Sequence, residues 1–107
     1  MGLRANGVGL AFCNPPYSQV ALWAAKIAEE AARKIEIISL VAARPGSRWF
    51  YRLVWSSAAA VCFWRGRLRF VGAASSAPFD SAVVYHGPRP WAFEGAFEGA
   101  GRVVRLR

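Results

Sequence analysis

Apolar residues in this chain fall into short runs separated by glycine, proline and charge. The first run, Val8 to Phe12, has Gly7 and Gly9 at its start and Pro15-Pro16 just beyond its end, which predicts a short buried strand closed by a sharp turn. Val20, Trp23, Ala24, Ile27 and Ala31 then recur at helical spacing, with Ser18 placed as an N-cap. The opposite face of that helix carries Lys26, Glu29, Glu30, Arg33 and Lys34, with Glu29/Arg33 and Glu30/Lys34 in the favourable four-residue order. Ile35 to Val41 is β-branched or aliphatic almost throughout, the pattern of a parallel strand covered on both faces.

Arg44-Pro45-Gly46 marks a loop, and Ser47 is placed to cap a shorter helix running to about Ser56, with Trp49, Phe50 and Leu53 on its buried side. Ala60 to Trp64 reads as a strand, Arg65-Gly66 as a turn and Leu68 to Val71 as the returning strand of a hairpin. Ala82 to Tyr85 is the last predicted strand, stopped by Gly87-Pro88-Arg89-Pro90. Beyond Trp91 the tetrapeptide Ala92-Phe93-Glu94-Gly95 is followed at once by Ala96-Phe97-Glu98-Gly99, a simplicity that predicts a mobile tail. The expected organisation is an α/β domain of three-layer αβα type over residues 1–87, followed by a low-complexity tail over residues 88–107.

Length and composition narrow this picture. The 107 residues suit one domain and lie near the lower limit for a sizeable core. Although 55% of them are hydrophobic, the longest clean apolar run, Ala58 to Trp64, is far too short to span a bilayer. No secretory signal is legible at the start, so a soluble, cytoplasmic protein is expected. Cys13 and Cys62 have no partners at metal-ligand spacing and read as buried thiols, and no metal is expected. Fourteen Lys and Arg against six Asp and Glu give a formal charge of +8. That balance fits a polyanionic partner, and equally a basic proteome or a solubility effect.

Candidate chemistry sits in Asn14-Pro15-Pro16-Tyr17, at the end of the first predicted strand and before the helix. Open α/β sheets bind ligands at that carboxyl-end position. The exocyclic nitrogen of adenine is a poor nucleophile because its lone pair is conjugated with the ring. Two acceptors in the plane of the amino group, an amide oxygen and a backbone carbonyl, can engage both N–H bonds and localise the lone pair. Asn14 and the Pro15 carbonyl offer that pair, and proline brings rigidity without a competing N–H. Tyr17 can stack on a base extruded from a duplex. A purely structural proline turn after a strand is the alternative reading of the same four residues.

The run Leu10-Ala11-Phe12-Cys13-Asn14-Pro15-Pro16-Tyr17-Ser18, the helix ending near Lys34, the strand leading to Ala43-Arg44, then Trp49-Phe50, Gly66-Arg67-Leu68-Arg69-Phe70 and Ala77-Pro78-Phe79-Asp80-Ser81-Ala82 resemble the phage-type Dam DNA N6-adenine methyltransferases in order and spacing. The resemblance spans residues 8 to about 86. It implies that Asn14, Pro15, Pro16 and Tyr17 are the adenine-binding catalytic motif, that the fold is the later part of a Rossmann-like methyltransferase sheet, that S-adenosylmethionine is the methyl donor and that DNA is the substrate. It also places the protein in the cytoplasm of a bacterial or phage-infected cell.

Two departures from the family pattern stand out. Pro45-Gly46-Ser47 replaces an expected Thr/Asp-containing stretch. In the family the donor is held by a first strand, its turn and an acidic residue, all upstream of the Asn-Pro-Pro-Tyr strand, and thirteen residues precede Asn14 here. Gly7-Val8-Gly9 leads into a strand and not from a strand into a helix, so it does not replace that turn. The first cofactor-binding strands are therefore expected to be missing, with no cofactor-binding residue assigned and a second chain or self-association expected to complete the sheet.

Arg44, Arg48, Arg65, Arg67 and Arg69 are the candidate DNA phosphate contacts, with a charged, aggregation-resistant sheet edge as the alternative. His86 reads as a surface residue, Asp80 as a turn residue, Trp23, Trp49, Trp55 and Trp64 as core and Trp91 as exposed. The expected function is DNA adenine-N6 methylation. Its competitors are a non-catalytic basic nucleic-acid-binding module, either a remnant or a subunit, and methylation of RNA or a protein glutamine.

Overall fold

A computed structural model describes residues 4–5, 10–32, 35–68 and 79–107. Six strands form one mixed sheet: β1 (Arg4–Ala5), β2 (Leu10–Cys13), β3 (Glu36–Ala42), β4 (Ala60–Trp64), β5 (Ser81–His86) and β6 (Gly101–Arg105), in the order β1-β2-β3-β5-β4-β6. Helix α1 (Val20–Ala31) connects β2 to β3, and this crossover allows the two strands to run parallel. Every other neighbouring pair is antiparallel. The expected parallel setting of β3 therefore holds on its β2 edge, whereas β5 lies antiparallel on the other.

Side-chain alternation divides the sheet between two cores. Ile37, Val61 and Val84 pack on one face with Ala24 and Ile27 of α1 and with Phe50, Leu53 and Val54. The last three belong to α2 (Arg48–Phe50) and the π turn Tyr51–Trp55 that continues it. Ser47 caps α2 as expected, its hydroxyl accepting the Phe50 N–H at 3.3 Å. On the other face Ala60, Cys62, Val83 and Tyr85 pack with Phe93 of α3 (Pro90–Phe97). Helices thus lie on both faces. Cys13 and Cys62 are free and buried, and burial pushes both thiols up. Among the described residues no helix is long and apolar enough to cross a membrane.

The structure corrects the sequence reading of the elements in three places. Residues 88–107 are not a mobile tail: α3 stacks Phe93 on Tyr85 with ring centroids 5.3 Å apart, and β6 pairs with β4 from Ala60↔Arg105 to Trp64↔Gly101. The repeated Ala-Phe-Glu-Gly unit puts phenylalanines four residues apart, one helical turn, so low complexity concealed an amphipathic helix. Ser18 does not cap α1. It lies within a 3-10 turn, Tyr17–Gln19, closed by the Gln19 N–H donating to the Pro16 carbonyl at 2.9 Å, and Gln19 takes the cap position. Finally, β5 and β6 occupy the two edges of β4, so β4 is not half of a hairpin with the next segment. Gly66 does turn the chain after β4, at φ 77°, whereas residues 69–71 of that expected strand lie outside the described residues.

Candidate functional site

Asn14 follows directly on β2, at the carboxyl ends of the two parallel strands. Cys13 and Pro15 point into the protein, while Asn14, Pro16 and Tyr17 are exposed. The two prolines contribute no N–H groups, and their carbonyls have different fates. That of Pro16 is taken by the Gln19 N–H. That of Pro15 has no hydrogen-bond partner among the described residues, and neither has the Asn14 amide. The local sequence thus leaves two acceptors uncommitted on adjacent residues at the end of a rigid strand.

Two other loops converge on this turn. After β3, the Ala43 N–H donates to the Asp80 carbonyl at 2.8 Å, tying that loop to the segment entering β5. The carboxylate of Asp80 holds Arg67 Nε at 3.1 Å. These ties place Arg44, with its guanidinium carbon 5.6 Å from the centre of the Tyr17 ring, and Phe79, stacked on Tyr17 at 6.1 Å. Tyr17 nevertheless keeps 51% of its surface exposed. The arrangement offers an aromatic platform, a cation over it and two acceptors beside it, which suits a planar ligand that donates hydrogen bonds from one edge.

The proposed phosphate contacts separate into distinct groups. Arg44 and Arg48 are exposed on the loop beside the site and at the start of α2. Arg65 is exposed at the end of β4, Arg67 is ion-paired with Asp80, and Arg69 lies outside the described residues. Asp80 combines the expected turn position with that ion pair. Phe79 was not among the site residues expected from the sequence; the available signal was its place in Ala77-Pro78-Phe79, immediately ahead of a strand.

His86 is not on the surface. At the opposite end of the sheet it is 1% exposed, with Nε2 3.0 Å from Ser57 Oγ. Burial depresses its pKa to about 4, so the ring is neutral at ordinary pH. The Gly-Pro turn after it suggested exposure, but His86 still belongs to β5 and lies beneath the segment around Ser57. Nearby, Glu36 accepts two bonds from Arg89, at 2.8 and 3.0 Å, and a third from the Tyr85 hydroxyl. Arg89 first and Tyr85 second hold that carboxyl below its ordinary range. Among the described residues, no three His, Cys, Asp or Glu come together as a metal site.

Comparison with known proteins gives one family. The family model described as DNA N-6-adenine-methyltransferase (Dam) matches residues 4–84. No curated protein and no solved structure matches the chain.

Proposed function

The chain belongs to the DNA N-6-adenine-methyltransferase (Dam) family, and from that premise we propose that it holds an adenine extruded from DNA for methylation at its exocyclic amine. The observation that carries this reading is the pair of uncommitted acceptors, the Asn14 amide oxygen and the Pro15 carbonyl, beside the half-exposed ring of Tyr17. In this arrangement the two acceptors take one N–H each, drawing the nitrogen towards a tetrahedral shape and turning its lone pair out of the ring's conjugation. Tyr17 stacks on the base and compensates part of the lost duplex stacking. Pro15 and Pro16 keep the carbonyl direction fixed, so little reorganisation is needed as the bond forms.

The β2–α1–β3 unit, with the site at the carboxyl ends of its parallel strands, supports reading the fold as the later part of a Rossmann-like methyltransferase sheet. The family implies a methyl donor such as S-adenosylmethionine. The described residues do not fit such a group. Among them no glycine-rich turn leads from a strand into a helix, and Asp80, the carboxylate beside the Tyr17 turn, is engaged by Arg67. The role assigned to these residues is therefore confined to the acceptor base, and the donor is assigned to protein outside them.

Two measurements test the reading. Where the wild-type chain, alone or completed by a donor-binding partner, incorporates methyl from labelled S-adenosylmethionine into adenine-containing DNA, Asn14→Ala should lose that incorporation, and equal, non-zero incorporation by variant and wild type would sink the assigned role. Base holding can be measured separately, by comparing affinity for DNA carrying a mismatched adenine with DNA carrying purine, which lacks the amine, at that position. Wild type should prefer adenine by roughly tenfold, the worth of one or two neutral hydrogen bonds, and Asn14→Ala should not.

A further inference from the structure

The arginines of this chain are not equivalent, and among those without a carboxylate partner Arg65 and Arg102 are brought together at one hollow. Among the described residues Arg67, Arg89 and Arg105 each meet a carboxylate, on Asp80, Glu36 and Glu94. Arg44, Arg48, Arg52, Arg65, Arg102 and Arg107 meet none; Arg107 is held by the Ala58 and Trp55 carbonyls, and Arg65 reaches the Gly99 carbonyl at 3.4 Å. Arg65 and Arg102 are neighbours. They sit together because β6 pairs with β4, setting Arg102 opposite Phe63 and drawing the Arg65 N–H onto the Ala100 carbonyl at 2.9 Å. Phe63, Arg65, Gly101 and Arg102 line an open hollow of about 320 Å³. Two exposed guanidiniums at the rim of one hollow, without a counter-ion, form a site for an anion.

Register places that hollow on the same end of the sheet as Asn14 and Tyr17. Val41, Ala82, Phe63 and Arg102 are successive cross-strand partners, so Arg102 stands in line with the residues from which the Arg44 loop emerges. Three strand spacings of about 4.8 Å put it roughly 14 Å from β3 across the sheet, about four base steps of a duplex at 3.4 Å each. Residues 90–105 lie outside the 4–84 family match, so Arg102 is supplied by a segment additional to the matched part of the fold.

We propose that Arg65 and Arg102 form a clamp for DNA backbone phosphates a few steps from the extruded base, with α3 and β6 serving to bring Arg102 beside Arg65. This rests on the reading of the chain as a DNA-binding adenine methyltransferase. The clamp fixes the register of the duplex against the Tyr17 turn without reading sequence. Arg105 supplies the internal control. It carries the same charge on the same strand, but it lies on the opposite face three residues away and is engaged by Glu94 at 2.9 Å.

The experiment is the salt dependence of binding to a duplex oligonucleotide by the full chain and its variants. Removing one phosphate contact lowers the slope of log K against log salt by about 0.9. Arg102→Ala and Arg65→Ala should each do so, the double variant should lose about twice as much, and Arg102→Lys should retain most of the slope. Arg105→Ala should leave it nearly unchanged. Equal losses for Arg102→Ala and Arg105→Ala, or no loss in either, would overturn the clamp while leaving DNA binding intact. Failure of the wild-type chain to bind DNA would overturn the clamp and the underlying functional reading together.

Discussion

Tyr17 and Phe79 stack with ring centroids 6.1 Å apart and planes 23° from parallel, joining the turn after β2 to the segment entering β5. The stack fixes the plane of the exposed Tyr17 ring, and under the proposed function less ordering is then required when a base binds. Tyr17→Ala should weaken binding to mismatched or single-stranded adenine DNA by about 1–3 kcal/mol, the usual worth of stacking one base on an aromatic ring. Tyr17→Phe should bind nearly as well as wild type. Phe79→Ala should cost less than Tyr17→Ala, since it removes the support and keeps the platform. Fluorescence anisotropy with labelled oligonucleotides checks the order, and unchanged affinity in Tyr17→Ala would remove the stacking role.

His86 gives the fold a specific dependence on pH. Its pKa is about 4 in the folded protein, mainly through burial, against an ordinary value of 6.5. Between those values the unfolded chain binds more protons, so stability rises with pH. The contribution is fully present above about pH 6.5, is lost as pH falls towards 4, and reaches roughly 3 kcal/mol in all. Glu36 acts in the same sense but only below its ordinary value of 4.5, so the interval from pH 6.5 to 5 isolates His86. Urea unfolding at pH 7.5 and pH 5 should differ by about 2 kcal/mol in wild type and much less in His86→Gln. An equal difference in both would assign the pH dependence to other groups.

Phe93 tests whether the C-terminal segment belongs to the core. It is 4% exposed, stacks on Tyr85 and packs at a tilt against Phe97. Phe93→Ala should cost about 3 kcal/mol, the lower part of the range for a buried Phe, whereas a residue on a detached tail would cost nothing measurable. Chemical denaturation decides between them, and Trp91→Ala, at a position 58% exposed, should have a much smaller effect.

What was legible in the sequence followed from local pattern. The 3.6-residue period of α1, the cap at Ser47 and the continuous apolar run Ala60–Trp64 each carry their signal within a few residues, and each element formed. The end position of Asn14-Pro15-Pro16-Tyr17 was legible for the same reason. Long-range pairing was not. Nothing in Leu68 or its neighbours signals that both edges of β4 are taken by β5 and β6, because strand partners are chosen by the whole sheet. The burial of His86 likewise depends on a segment some thirty residues earlier. At the site, the two acceptors came from a short motif, but the convergence of Arg44 and Phe79 on Tyr17 required the Ala43–Asp80 bond between separate loops.

Two glycines near the C-terminus should respond in opposite directions to the same substitution. At Gly101 a β-carbon would collide with the backbone carbonyl of Phe63 across the β4–β6 pair, and backbone cannot swing aside as a flexible side chain can. Gly101→Ala should therefore push β6 away from β4, at a cost of about 1–3 kcal/mol or more as for other overpacked sites. Gly95, within α3, has nothing within 4 Å of the corresponding position, so Gly95→Ala meets no obstacle and should stabilise by up to about 1 kcal/mol through helix propensity. Hydrogen exchange locates the effect: amide protection of Arg102 and Val104, whose N–H groups face β4 in this register, should fall in Gly101→Ala and hold or rise in Gly95→Ala. Because β6 also carries Arg102, Gly101→Ala should lower the salt slope of DNA binding although it changes no charge, a result that a diffuse electrostatic attraction would not give.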